Sequence, residues 1–497
     1  MKLHSKHLIC LLLAALMSLS AVSCSQTPQQ EGKPETEASK AADTPSSPEP
    51  EAAQEEGELK ANLPDKTFDG EEVMFLVPLH LTYDEYTSHE IYAEELDGTL
   101  INDAVFTRNQ KVEGLLDIRI AETKMTECDS VARNSIKADE GIYNVVMPYM
   151  NPTIGLATEG LLLDLKTVPW LDLEQHWWDQ RANENLIIAD KLFLTTGDIA
   201  ILDNDCTMVM FFNKAMIRDH NLENPYELVR ENRWTLDKVR ELAVSVTNDS
   251  DGDGKMTLND VWGLSVAFNA PISMYFGAGE RIVDRNEEGV LDFCLGTPRA
   301  VDVFDKLMSV CLDDMVLSQH TGGNTSYGTI MPMFNASQVM IVTWALVNID
   351  GIREAEFEFG ILPYPLYDET QAEYNNLIST GLVSSVSVPI TCPNTEVTGA
   401  ALEAMAWLST ETLTTAYYDT ALKTRYVRDE ESGDMMDLIF ATRVYDLGYI
   451  SGWGGVGDLV GNLFNAKSTN YASMWAKFEK KARKDLEKAL EVFDALG

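Results

Sequence analysis

Apolar residues recur along this chain with two different periods, and their alternation predicts the fold class. Short, nearly continuous apolar runs of strand length stand at "EVMFLVPL" (72–79), "YNVVMPYM" (143–150), "MVMFFNK" (208–214), "VWGLSVAF" (261–268), "SQVMIVTW" (337–344) and "FEFGILPY" (357–364). Between them lie stretches in which apolar side chains return every three or four positions. These are "NDAVFTRNQKVEGLLD" (102–117), "WTLDKVRELAVSVT" (234–247), "PRAVDVFDKLMSVC" (298–311), "NTEVTGAALEAMAWLST" (394–410) and the long closing "MWAKFEKKARKDLEKALEVFDAL" (474–496). The first kind reads as buried strands and the second as amphipathic helices. Strands separated by helices specify an α/β protein with mainly parallel sheets. At 497 residues the chain is too long for one compact lobe, so two are expected.

The N-terminal pattern is different. Lys2 and Lys6 precede "LICLLLAALMSL", an apolar run too short to span a bilayer, followed by small residues and "AVSC". This reads as an export signal over residues 1–23, with Cys24 as a lipidated first residue of the mature chain. Residues 25–60 hold nine acidic and three basic side chains, five prolines, no aromatic, and Leu59 as their single large aliphatic. Such a segment cannot bury enough surface to offset its ordering entropy, so residues 24–62 are expected to be a solvated tether. A formal net charge of −41 repels phosphate backbones, which excludes nucleic acid as a partner and leaves the lipid anchor as the only membrane contact. Beyond Cys10 and Cys24, five widely spaced cysteines remain, with no CxxC pair to signal a zinc site or a disulfide framework.

One short stretch carries metal chemistry. "DSDGDGKMTLND", 249–260, fits the calcium-loop pattern at every position that matters. Asp249, Asp251 and Asp253 alternate so that their carboxylates turn to one point, Gly254 sits at the sharp turn, and Lys255 offers its backbone carbonyl. Thr257 and Asp260 complete the set, and Ca2+ needs such a cage of six to eight hard oxygens. Asp260 stands where a longer Glu is usual. With a helix before the loop, capped by Thr235, and a strand after it, the loop reads as a structural staple rather than one half of a paired sensor.

Several phrases in this order resemble the extracellular solute-binding proteins of bacterial ABC importers, in particular the large group that captures sugars and oligosaccharides. They are "INDAVFTRNQKVEGLLDIRI", "YNVVMPYMNPTIGLATEGLLLDL", "TMVMFFNKAMIRDHNL" and "RWTLDKVRELA". The resemblance covers Leu63 to Gly497. It implies a two-lobed periplasmic-binding-protein-like fold, each lobe a mainly parallel sheet flanked by helices, with ligand held in the cleft between them. The first lobe is expected at 63–204 and 384–430, and the second at 205–363 and 445–497. Hinge or crossing segments are expected at 364–383 and 431–444, with a first crossing near 199–206.

The same resemblance implies the ligand residues: Tyr149 and Asn151 after their strand, Asp205 in the first crossing, Trp344 after "SQVMIVT", and Trp453 in "ISGWGGVGDL". Carbohydrate sites combine aromatic platforms with carboxylates and amides, which suits these types. Trp177 and Trp178 are adjacent, so at least one is expected to be packing. "GWGGVG" (452–457) matches a dinucleotide fingerprint only formally and reads as a flexible cleft or hinge turn. There is no HExxH, GxSxG or GxxxxGK[ST], and nothing assembles nucleophile, base and orienter. The expected function is therefore non-catalytic. It is a monomeric, lipid-anchored, calcium-stapled protein on the outer face of the cell membrane, passing a carbohydrate to ABC permease subunits. A surface glycan-active enzyme and a glycan-binding adhesin are the alternatives.

Overall fold

The first sheet forms around the first apolar run. In β1 (Glu71–Pro78) the side chains of Val73, Phe75, Leu76 and Val77 are all fully buried, as in a strand covered on both faces. A helix, Leu100–Leu116, carries the chain back, and β2 (Ile118–Met125) then pairs parallel to β1 from Glu71↔Ile118 to Pro78↔Met125. On the other side of β1 lies β3 (Val145–Val146), also parallel. The returning helix ends where Asp117 takes a left-handed conformation, φ 50°. Residues 384–389 come back to this body much later and bridge Val146, Tyr149 and Leu162. These features belong to a computed structural model that describes residues 60–495 apart from 322, 324, 353–354 and 424–429. The expected signal, Cys24, and the tether as far as residue 59 lie outside the described residues.

The second sheet is built from β4 (Met208–Asn213), β5 (Trp262–Ser265), β8 (Val339–Ala345) and β9 (Phe359–Leu362), in the order β5-β8-β4-β9. A hairpin, β6 (Val283–Arg285) with β7 (Leu291–Phe293), stands apart from it. Here the expectation of a mainly parallel sheet needs correction. β5 and β8 are parallel, but β4 is antiparallel to both of its neighbours. The cause lies in the connection. The chain leaves the first body through residues 199–207 and enters the second at the end where β8 finishes, Met208 facing Ala345, so β4 must run backwards.

Three segments pass between the two bodies close together. Thr207 bridges Ile378, and β10 (Asn376–Leu377) pairs with β11 (Arg443–Val444). The region before β11 is a helix, Glu430–Ala441, so only the residues after it are extended in the third crossing. Arg443 binds the segments together. Its guanidinium lies 2.7 Å from Asp179, 3.2 Å from Asp203, and donates to Asn204 Oδ1 at 2.7 Å, with all these acids buried. Tyr445 donates a further bond to Asp179. The closing helix, Tyr471–Ala495, begins against the second body, where Tyr275 and Tyr471 share a hydrogen bond and Trp475 packs on Phe293. It ends against the first, with Phe493 on Phe193 and its carbonyl accepting from Lys191.

The helix Thr395–Ser409 is buried almost all round and contributes one carboxylate to the first body's core. Glu403 accepts from the indole N–H groups of both Trp177 (3.1 Å) and Trp178 (3.0 Å), and from the Asp172 N–H. Both tryptophans are buried, so neither is a ligand platform. Gly197 crosses their backbone so closely that a Cβ there would lie 2.3 Å from the Trp177 carbonyl oxygen. Burial pushes the Glu403 carboxyl up to about 7, against the three donors that favour its ionised form. A carboxyl raised on folding gives stability that is fully present below its ordinary value and is lost as pH rises to about 7. Glu403→Gln is therefore expected to flatten part of the fall in stability between about pH 4.5 and 7, read by urea unfolding across that range. Glu403→Leu is expected to cost about 1–3 kcal/mol at pH 5 by stranding the two indole donors. An unchanged pH slope in the glutamine variant would show that Glu403 does not titrate in this window.

Candidate functional site

The C-terminal ends of β1, β2 and β8 and the start of β4 all point into one space, which is where open α/β sheets hold ligands. A cavity of about 740 Å³ lies there. One wall is the irregular segment after β1, with Asp84, Glu85, His89, Tyr92, Glu94 and Asp97, joined by Lys124 at the end of β2. The opposite wall is Leu346, Val347 and Ile349, directly after β8. Its floor is Ile201, Leu202 and Asp205 from the first crossing, closed by Tyr417 and Thr420 of a late helix. The chemistry is mixed, with an aliphatic floor and a rim of carboxylates. His89 sits 3.3 Å from Asp84, and Lys124 is 3.2 Å from Glu122, a carboxyl that burial pushes up to about 7. No tryptophan lies among the described lining residues.

Of the five residues expected to touch ligand, Asp205 lines this cavity, accepting a hydrogen bond from the Tyr417 hydroxyl at 2.8 Å. Tyr149 is set behind the wall, where its hydroxyl donates to the Tyr86 carbonyl at 2.8 Å. Burial pushes this phenol up to about 12, so it remains a donor at any working pH. Asn151 is exposed on the first turn of helix Met150–Thr158, with its amide beside Gly381 of the second crossing. The two tryptophans are not among the described residues that line this cavity. Trp344 is partly buried, stands edge-on to Tyr327 at 5.5 Å and packs against the cluster that includes Ile201 and Leu346, on the face of β8 opposite Thr343. Trp453 is 8% exposed and belongs to the hydrophobic core. The glycine turn after it is also no loose hinge. Gly454 has φ 68°, its N–H donates to Asp485, and a Cβ there would lie 2.6 Å from the backbone of Ala482. It docks the closing helix.

The acidic loop is assembled as its spacing requires. Ligand oxygens of Asp249, Asp251 and Asp253 lie within 4.8 Å of one another, about twice a calcium–oxygen distance. Gly252 and Gly254 take φ 72° and 80°, which lets the backbone curl around that point. The Asp249 carboxylate accepts from both glycine N–H groups, at 2.8 and 2.7 Å. Asp260 also binds the loop's own backbone. It is buried, one oxygen accepts from the Ser250 N–H and the other from the Thr257 N–H and hydroxyl, and these bonds hold its carboxyl below its usual range. It closes the loop from within, as a short side chain at that position can. The Thr257 carbonyl accepts from the indole of Trp262 in β5. The residues present fit a hard divalent cation.

No family model matches the sequence, and no curated protein matches it. Solved structures do match the fold. A cyclo/maltodextrin-binding protein complexed with maltotetraose aligns over 86% of this chain and 97% of its own, with TM-score 0.54 and 14% identity. Apo RafE from Streptococcus pneumoniae aligns over 86% and 98%, with TM-score 0.52 and 12% identity. A solute-binding protein from Thermotoga lettingae bound with α-D-tagatose aligns over 84% and 100%, with TM-score 0.51 and 10% identity. The fold is that of these solute-binding proteins.

These placements separate packing from cleft. Trp453→Ala is expected to cost about 3–5 kcal/mol in denaturant unfolding, because it empties a core position. Tyr92→Ala, at 38% exposure on the cavity wall, is expected to cost less than about 1 kcal/mol. Equal losses would mean that the two residues share one environment.

Proposed function

We propose that this protein captures a carbohydrate in the cavity between its two bodies and delivers it to an ABC importer. The observation that carries this reading is the cavity's place. It lies at the C-terminal strand ends and against the first crossing, in a fold shared with proteins whose structures hold maltotetraose and α-D-tagatose. Its size falls within the range of small-ligand pockets. Rim carboxylates and Asp205 supply acceptors for sugar hydroxyls, and Tyr92 supplies a ring for a sugar face. The crossings at 199–207, 376–383 and 442–446 serve as the hinge, with 63–204 and 384–430 as one lobe and 205–363 and 445–497 as the other. Closure about that hinge is the signal a permease reads. Residues 1–23 direct export, Cys24 carries the lipid, and the acidic tether holds a monomeric binding domain off the outer face of the membrane.

Within the same proposal Ca2+ is held by Asp249, Asp251, Asp253, the Lys255 carbonyl, Thr257 and Asp260. It would pin the end of helix Leu236–Val246 to β5. No step of ligand capture passes through it, since the loop lies at the far end of β5 from the cleft.

Thermal unfolding with maltotetraose, raffinose, tagatose and further sugars tests the capture. A sugar at about a hundred times its Kd is expected to add roughly 2.7 kcal/mol, a rise of a few degrees, and to be recovered unchanged. No rise with any sugar would overturn the carbohydrate reading while leaving the fold as it is. For the metal, chelation is expected to lower the melting temperature with sugar affinity unchanged, and Asp251→Asn to abolish the chelator's effect. A change of sugar affinity in the folded, chelated protein would contradict a purely structural role.

A further inference from the structure

The helix that begins at Thr395 does not run regularly to Lys423. At Thr410–Thr414 it makes one π-helical turn. A π-turn adds one residue to the helix, so everything after it is rotated by about 100°. Such turns are frequent at functional sites. This one is fastened to the first crossing on both sides. The Thr410 hydroxyl donates to Asp198 at 2.7 Å, just before the crossing. The Tyr417 hydroxyl donates to Asp205 Oδ1 at 2.8 Å, at the crossing's end. Tyr417 and Thr420, three residues apart and so on one face, are the two residues that this helix presents to the cavity. The added residue brings that face round to the cleft.

We propose that Tyr417 is a positioning residue for ligand binding: its hydroxyl fixes the Asp205 carboxylate on the cavity floor, and the π-turn is what brings it within reach. The inference rests on the reading of this cavity as a sugar site. Tyr417 is 6% exposed, so its own surface offers a ligand little, and it acts through the acid it holds. Burial and the nearby Asp205 and Asp203 carboxylates push its phenol well above the ordinary range, so the hydroxyl keeps its proton and keeps donating. A carboxylate that accepts sugar hydroxyls binds best when it is oriented before the ligand arrives, since ordering it afterwards is subtracted from affinity.

The test is a double-mutant cycle on affinity by calorimetry, using Tyr417→Phe, Asp205→Asn and the double variant, with maltotetraose, raffinose and tagatose as probes. For whichever probe binds, Tyr417→Phe is expected to weaken binding about tenfold alone, and by less than about twofold when Asp205 is already Asn. The melting temperature without sugar serves as the control for folding, because the phenyl ring still fills the site. A loss of the same size in both backgrounds would show that Tyr417 merely shapes the wall, and would overturn the proposal. Unchanged affinity in Tyr417→Phe, or in Asp205→Asn, would overturn it as well. If no probe binds the unaltered protein, the sugar reading itself fails and this inference falls with it. The titration of the unaltered protein distinguishes that outcome from the others.

Discussion

A single guanidinium ties the first and third crossings to the first body. Arg443 keeps about a tenth of its side-chain surface in water, yet it meets Asp179 of the first body, Asp203 and Asn204 of the first crossing, and sits in the third crossing itself. Two carboxylates packed this close to one another would repel, and the cation between them reverses the sign of the interaction. Removing one partner would leave a buried charge uncompensated, which is costly on the order of 3–5 kcal/mol. The three crossing strands are otherwise joined by very short ladders, two residues in β10 with β11 and one bridge at Thr207. Further bonds, from the Ser379 N–H to the Cys206 carbonyl and from the Asn376 amide to the Thr442 hydroxyl, join the ion cluster in holding the crossing together.

Much of this was legible in the sequence, and the reasons divide cleanly. Runs such as Val73–Val77 declare buried strands because every side chain is apolar, and the helix before the acidic loop declares its start through Thr235, whose hydroxyl accepts from the Lys238 N–H. The gathering of the loop's three carboxylates is read from spacing alone, because they are local in sequence. Strand direction is not local. "MVMFFN" has the same buried pattern whether it runs with or against its neighbours, so the reversal of β4 could not be seen.

The facing of the site residues is hard to read for a related reason. A tryptophan's sequence environment does not say which side of a strand or turn it faces, and Trp344 and Trp453 went to packing. Trp177 and Trp178 point their indoles at one carboxylate, 226 and 225 residues further on, a partnership no window of sequence contains. Tyr417 cannot be placed on the cavity from helical spacing, because the π-turn at Thr410–Thr414 shifts every later position by one residue. Asp205 does line the cavity, because it lies in a short segment whose place is fixed by topology.

The closing helix has a mechanical consequence. At 25 residues it is a stiff rod of about 37 Å, rooted by Tyr471 and Trp475 in one body and resting its tip, Phe493, on Phe193 of the other. Any swing of one body about the crossings is magnified along that rod, and a turn of ten degrees carries the tip by about 6 Å. The tip is tied as well as rested, because Lys191 donates to the Phe493 carbonyl, so a swing of that size has to break this bond along with the ring contact.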